Sequence, residues 1–99
     1  MNQLIKLFEE VKDENLDRHQ LEMYHTELSS IYALMELEMA GIEKAEAIFL
    51  GTSGEKTAVM ATRKWAITTQ GQRQIELKRQ LKATEKVLSS VKSRVFNKI

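Results

Sequence analysis

The sequence has no cysteine, no proline and only four glycines among its 99 residues. Without cysteine there is neither a disulfide framework nor a thiolate metal site, which is typical of a reducing cytoplasm. Without proline, and with Leu, Lys, Glu, Ala, Met and Gln abundant, the composition favours helix almost throughout. No run approaches the roughly 18 apolar residues that a membrane span needs. We therefore expect one soluble, cytoplasmic, all-α domain with no signal peptide and no membrane contact.

Residue groups that carry catalysis are also missing from the sequence. His19 and His25 are six positions apart, which places them about 240° apart around a helix, so they cannot share a metal ion. The glutamates of the first half lack the Glu-x-x-His pairs that di-metal helical sites use. Residues 51–54, Gly-Thr-Ser-Gly, follow a predicted helix and lack the Gly-Lys-Ser/Thr ending of a phosphate-binding loop. We expect a protein that is not an enzyme and uses no cofactor and no metal.

Each half of the chain is poor in charge of one sign. Residues 1–50 contain four bases and eleven acids, a net of 4 − 11 = −7, and residues 51–99 contain eleven bases and three acids, a net of 11 − 3 = +8. The halves meet at residues 51–54, where two glycines lie close together. This pattern predicts an acidic arm and a basic arm that a turn joins into an elongated antiparallel helical hairpin.

Hydrophobic spacing and capping residues divide this single domain further. Asp17 can cap the long acidic helix, and Gly51 stands where a helix-terminating glycine belongs. Residues 52–55 and 69–72 both have the spacing of a capping box, so each would begin a helix. The predicted elements are a short helix over 1–15, a long acidic helix over 17–50, a turn at 51–54, a basic helix over 55–69 and a basic C-terminal helix over 72–97.

Apolar residues recur at alternating steps of three and four along both long helices, like the seams of a coiled coil. At 1.5 Å per residue the acidic helix is a rod of about 50 Å. Because such a rod has more apolar surface than one short chain can cover, we expect a homo-oligomer. The apolar stripe of this helix is widened by Leu34, Leu37, Gly41 and Ile48, so the helix should contact more than one neighbour. The expected oligomerisation residues are Leu28, Ile31, Met35, Leu77, Leu81, Leu88, Val91 and Val95.

Glu38 is a charged residue within the apolar seam of the acidic helix. One interpretation is an ion pair with a base from the second half of the chain. The other is a polar contact between subunits that sets their register. The sequence leaves both open.

The bases of the second half also allow two interpretations. They can pair with the acidic arm, at on the order of 0–1 kcal/mol for each exposed pair, or face a phosphate backbone. Trp65, beside Arg63 and Lys64, can stack on the bases of a single strand or act as a buried anchor against Phe49 or Leu50. The candidate nucleic-acid-binding residues are Lys56, Arg63, Lys64, Trp65, Arg73, Lys78, Arg79 and Lys82.

Two segments resemble a known family. Residues 91–96, Val-Lys-Ser-Arg-Val-Phe, resemble the Ile-Lys-Ser-Arg-Gly-Phe ending of the UvsY-type recombination mediators of T-even phages. Residues 44–51, Lys-Ala-Glu-Ala-Ile-Phe-Leu-Gly, resemble that family's Lys-Ala-Arg-Leu segment with its following aromatics and glycine-rich turn. The resemblance covers about residues 36–97. It implies that Lys44 contacts DNA, but Glu46 stands where the family has arginine, which shifts the expected contact toward Lys56, Arg63 and Lys64.

The resemblance implies a ring-like homo-oligomer that binds single-stranded DNA in the cytoplasm of an infected bacterium. Such a phage protein would help to load a RecA-like recombinase onto strands covered by single-strand-binding protein. The alternative is a non-enzymatic protein-binding or structural coiled-coil phage protein with no nucleic-acid role, in which the two arms neutralise each other.

Overall fold

The computed structural model of the protein describes residues 2–98, and every regular element among them is an α-helix. The helices form an elongated body of 58 × 19 × 17 Å. The predicted all-α fold with a short N-terminal helix is therefore confirmed. No helix in this described range is both long and apolar enough to cross a lipid bilayer. In chain order the helices are α1 (Asn2–Glu10), α2 (Arg18–Thr52), α3 (Ala58–Ala66) and α4 (Thr69–Asn97).

The two long helices run antiparallel, as three hydrogen-bonded pairs between them show. Tyr32, Glu38 and Glu46 follow one another along α2, and they pair with Glu85, Arg73 and Gln74 respectively on α4. The partner of Tyr32 is at position 85 of α4, whereas the partners of Glu38 and Glu46, further along α2, are at positions 73 and 74, which is the order of a hairpin. The acidic and basic halves thus lie side by side, as their opposite charge predicts.

The start of α2 follows its local sequence closely. The Asp17 side chain accepts a hydrogen bond from the backbone N–H of Gln20, and the Gln20 side chain accepts one from the backbone N–H of Asp17. This reciprocal pair satisfies two donors that the first turn would otherwise leave unpaired. The predicted N-cap is confirmed.

The turn between the arms differs from the prediction in two ways. α2 continues through Gly51 to Thr52, whose hydroxyl donates to the carbonyl of Ile48. The left-handed conformation falls instead on Gly54, with φ of +73°, which a residue without Cβ adopts at little cost. The predicted capping box over 52–55 does not start a helix. Thr57 is the N-cap of α3, because its side chain accepts from the backbone N–H of Met60.

The junction between α3 and α4 is tighter than the sequence indicates. Thr68, and not Thr69, caps α4: its hydroxyl accepts from the N–H of Gly71 and donates to the carbonyl of Trp65. A Cβ on Gly71 would lie 2.0 Å from that same carbonyl oxygen. Only glycine allows the two helices to meet this closely. With Thr68 as its cap, α4 begins at Thr69, three residues before the predicted position.

The core lies between α2 and α4 and continues under α1. The side chains of Leu21, Leu28 and Leu77 are fully buried there. All eight residues expected to join subunits belong to this intramolecular core. Leu28, Met35, Leu77 and Val91 are buried, whereas Ile31, Leu81, Leu88 and Val95 are partly buried against them. The four buried residues are shielded within a single chain, which corrects the prediction that they are available to a second copy. The other four pack on the same core but remain partly exposed.

Candidate nucleic-acid interface

The outward side of α4 carries the densest group of bases in the described chain. We call Lys78, Arg79, Lys82 and Lys86 the basic face of α4. Within residues 77–91 the buried Leu77, Thr84 and Val91 are spaced by seven residues, so they keep one side of α4 against the core. The four bases project from other sides of the helix and are exposed. They span about 12 Å along the helix axis.

None of these four bases forms an ion pair with a carboxylate in the described range. The nearby acids are already engaged. Glu85 accepts a hydrogen bond from the Tyr32 hydroxyl, which raises the pKa of Tyr32 to about 12. Glu76 pairs with Arg73 at 3.1 Å. Glu85 keeps its charge and lies beside Lys78, Arg79 and Lys82, but none of the four bases has a carboxylate within ion-pair distance in the described range.

Arg73, a predicted DNA contact, has a structural role instead. Its guanidinium donates two hydrogen bonds to the Glu38 carboxylate, from Nε to Oε2 at 2.6 Å and from Nη2 to Oε1 at 2.8 Å. These bonds lower the pKa of Glu38 and raise that of Arg73, against the opposing effect of partial desolvation. Of the two interpretations of Glu38, the structure shows the ion pair with a base from the second half.

Trp65 is not available to stack on a base. Its side chain is buried, and its ring centroid lies 5.5 Å from that of Phe49 in a tilted arrangement. The indole N–H donates to Oε1 of the buried Gln74 at 2.8 Å. Trp65 is therefore the buried anchor of the α2–α3–α4 junction, which removes it from the candidate nucleic-acid-binding residues.

The same junction explains the acid at position 46. The side-chain amide of Gln74 donates to Glu46 Oε1 at 3.0 Å. A chain of hydrogen bonds thus runs from the indole of Trp65 through Gln74 to Glu46. The carboxylate holds the orientation of the buried glutamine, whose carbonyl oxygen must face the indole. Glu46 therefore has a structural role at this junction.

The remaining candidate bases are dispersed. Lys64 pairs with the half-buried Glu55 across the turn. Lys56 is exposed in the connection before α3, and Arg63 is exposed on α3. Lys44 is exposed on α2, on the opposite side of that helix from the buried Met35 and Ile42. The structure therefore separates Lys44 from the basic face of α4.

Arg94, within the Lys-Ser-Arg motif, is a structural residue that the sequence does not reveal. Its guanidinium donates to the backbone carbonyls of Val11 and Asp13, the latter at 2.6 Å. These carbonyls follow the end of α1, where they lack helical partners. Arg94 thereby fastens α1 to α4. Local sequence spacing cannot predict this contact, because Arg94 is more than eighty positions from both carbonyl groups.

Within residues 2–98 no cluster of three or more His, Asp or Glu side chains is placed to hold a metal ion. Comparison of the chain with models of protein families, with curated protein sequences and with solved structures found no match. The interpretation of the basic face therefore rests on its own chemistry.

Proposed function

We propose that this protein binds single-stranded DNA through the basic face of α4, without catalysing a reaction. The observation that carries the proposal is the group of four exposed bases, Lys78, Arg79, Lys82 and Lys86, with no carboxylate partner in the described chain. Exposed bases in one region attract phosphates and release the counterions that surround them. Contacts of this kind position a nucleic acid without reading its sequence.

The exposed aromatic at the end of α4 supports a preference for single strands. Phe96 is 75% exposed, and its position differs from that of Lys82 by 14 residues, which returns to nearly the same side of a helix. Lys92 and Ser93 lie between them and are also exposed. A strand that follows the bases of α4 would meet an aromatic ring, and base stacking on such a ring contributes about 1–3 kcal/mol.

The salt dependence of binding tests the proposal. Each phosphate contact on a single strand lowers the slope of log K against log salt by about 0.7, so four contacts give a slope of about −3. Fluorescence anisotropy of a labelled oligonucleotide, titrated from low to high salt, measures this slope. Binding that is absent at low salt, or that is indifferent to salt, would remove the proposal.

A pair of double variants distinguishes the contribution of the basic face to DNA binding from the contribution of net charge alone. The double substitution Lys78→Gln and Lys82→Gln should weaken binding and reduce the slope toward about −1.5, since two of the four contacts are lost. The matched control, Lys6→Gln and Lys12→Gln, changes the net charge equally but alters exposed lysines of the N-terminal region. Equal losses in both double variants would show that the basic face has no special role.

Loading of a RecA-like recombinase is the finer part of this proposal, and the resemblance to UvsY-type mediators is its support. It predicts that the protein shortens the delay before the recombinase becomes active on strands covered by single-strand-binding protein. Absence of that effect, with DNA binding intact, would leave a simple DNA-binding protein.

A protein-binding or structural role without DNA is the second candidate function. Three contacts between the arms favour it: Tyr32 with Glu85, Glu38 with Arg73, and Gln74 with Glu46. They use part of the charge of both arms inside the hairpin. Under this function the salt titration would show no binding to the oligonucleotide even at low salt.

A further inference from the structure

α2 has a second apolar side that nothing in the described chain covers. Met23, Leu34, Leu37 and Ile48 are 60%, 66%, 71% and 59% exposed. They lie on the side of α2 opposite to its buried residues, because their positions differ from those of the core by about half a helical turn. Four large apolar side chains in one line along a helix are the pattern of a contact surface.

The spacing of this side is that of a coiled-coil seam. We call it the outer seam of α2, and it consists of the exposed residues at positions 23, 27, 30, 34, 37, 41, 44 and 48. These positions alternate between steps of four and three without interruption, which keeps one side of a helix against a neighbouring helix. The seam extends over about 38 Å of helix.

The outer seam is also symmetric about its own midpoint. If two copies of α2 pack antiparallel so that Leu34 meets Leu37 of the second copy, each position pairs with the position that brings the sum to 34 + 37 = 71. The same rule pairs 30 with 41, 27 with 44 and 23 with 48. All eight positions therefore find a partner within the seam, as a two-fold interface requires.

The chemistry of these pairs is complementary at every level. Leu34 and Leu37 form two apolar layers at the centre, and Met23 with Ile48 closes each end. Between them the small Ser30 faces the small Gly41. A Cβ built on Gly41 has nothing within 4 Å, so a second helix can approach closely there.

The remaining pair joins opposite charges. Glu27 and Lys44, the only charged members of the seam, meet each other in the antiparallel register and occur twice in the dimer. In the single chain the Glu27 carboxylate accepts one hydrogen bond, from the exposed Gln3 side chain at 3.2 Å. Both charges remain exposed and accessible to a partner.

We propose that the outer seam binds a second copy of this chain, forming an antiparallel two-fold dimer in which Leu34 packs on Leu37 and Glu27 pairs with Lys44. The self-complementary order of apolar, small and charged positions favours a copy of the chain over an unrelated protein. The dimer leaves the α2–α4 core of each hairpin unchanged. It does not depend on DNA binding, because the basic face of α4 is not part of the seam.

Charge exchange at the seam tests both the partner and the register. Glu27→Lys alone and Lys44→Glu alone each place like charges opposite one another at two sites, so each should weaken self-association about tenfold. The double variant should recover wild-type association. A mixture of the two single variants should form a heterodimer more readily than either associates alone. Sedimentation velocity over a concentration series measures all four.

Matched controls keep the same charge changes away from the seam. Glu14→Lys and Lys56→Glu alter exposed residues in the connections before α2 and α3, and they should associate like the wild type. Circular dichroism should show equal helix content in every variant, since both seam residues are exposed in the single chain. A wild-type protein that stays monomeric up to millimolar concentration overturns the proposal. An oligomer that the single variants do not weaken, or a mixture with no preference for the heterodimer, also overturns it.

Discussion

Two glycines of the long helices should respond to the same substitution with opposite changes in the free energy of unfolding. Gly41 lies in the middle of α2 with open space around the position of a Cβ, and Gly71 lies in the first turn of α4 against the backbone of α3. Alanine is the better helix former at both positions, by about 0.5–1 kcal/mol. Any difference between the two variants therefore reports on tertiary packing.

The magnitude follows from the distances at Gly71. A Cβ there would be 2.0 Å from the Trp65 carbonyl oxygen and 2.8 Å from its carbon. Both atoms belong to the backbone, so no side-chain rotation relieves the overlap. The α3–α4 junction must move, and the Thr68 cap moves with it. Overpacking of this kind costs about 1–3 kcal/mol. We expect Gly41→Ala to raise the free energy of unfolding by about 0.5–1 kcal/mol and Gly71→Ala to lower it by about 1–2 kcal/mol.

Urea unfolding followed by circular dichroism measures both variants, at a protein concentration low enough to keep the chain monomeric. The denaturant midpoint should rise for the first variant and fall for the second at similar slopes. A Gly71→Ala protein as stable as the Gly41→Ala protein would refute the close approach of α4 to Trp65.

Three further substitutions test contacts of the hairpin. Trp65→Phe removes the donor to Gln74 and leaves a buried amide oxygen unpaired. The free energy of unfolding should therefore fall by about 1–3 kcal/mol in urea titrations. An unchanged denaturant midpoint would contradict the buried hydrogen bond. The pKa of Tyr32 is raised from 10.0 to about 12. The stabilisation from its hydrogen bond to Glu85 is therefore complete below pH 10 and is lost as pH rises toward 12. The difference in unfolding free energy between the wild type and Tyr32→Phe should shrink over that interval. Glu38 has its pKa lowered from 4.5 by Arg73, so its contribution is present above that pH and disappears as pH falls through the lowered value. Because the Glu38–Arg73 pair is partly exposed, Glu38→Gln should lower the free energy of unfolding by only about 0–1 kcal/mol at neutral pH. A difference in unfolding free energy between the wild type and Glu38→Gln that persists in strong acid would contradict this ion pair.

Residue type alone does not predict which bases of the candidate site are free of ion pairs. The bases at positions 64, 73 and 78 look alike in the sequence, yet Lys64 and Arg73 are paired with acids whereas Lys78 is not. Local spacing cannot decide this, since Glu38 lies 35 positions from its partner. Local spacing cannot predict the burial of Trp65 either, because that burial depends on α2 and α4 meeting at the turn.

The sequence by itself determined the helices, the Asp17 cap, the hairpin and the charge of its two arms. Each depends on residues within a few positions of one another or on the sum of charge along a segment. Tertiary structure decided which side of α2 faces the core. Leu28 and Leu34 are chemically identical and lie on one helix, but the first is fully buried and the second is mostly exposed. Both residues fit the helical repeat of α2, and the packing of α4 along one side of that helix buries Leu28 and leaves Leu34 exposed.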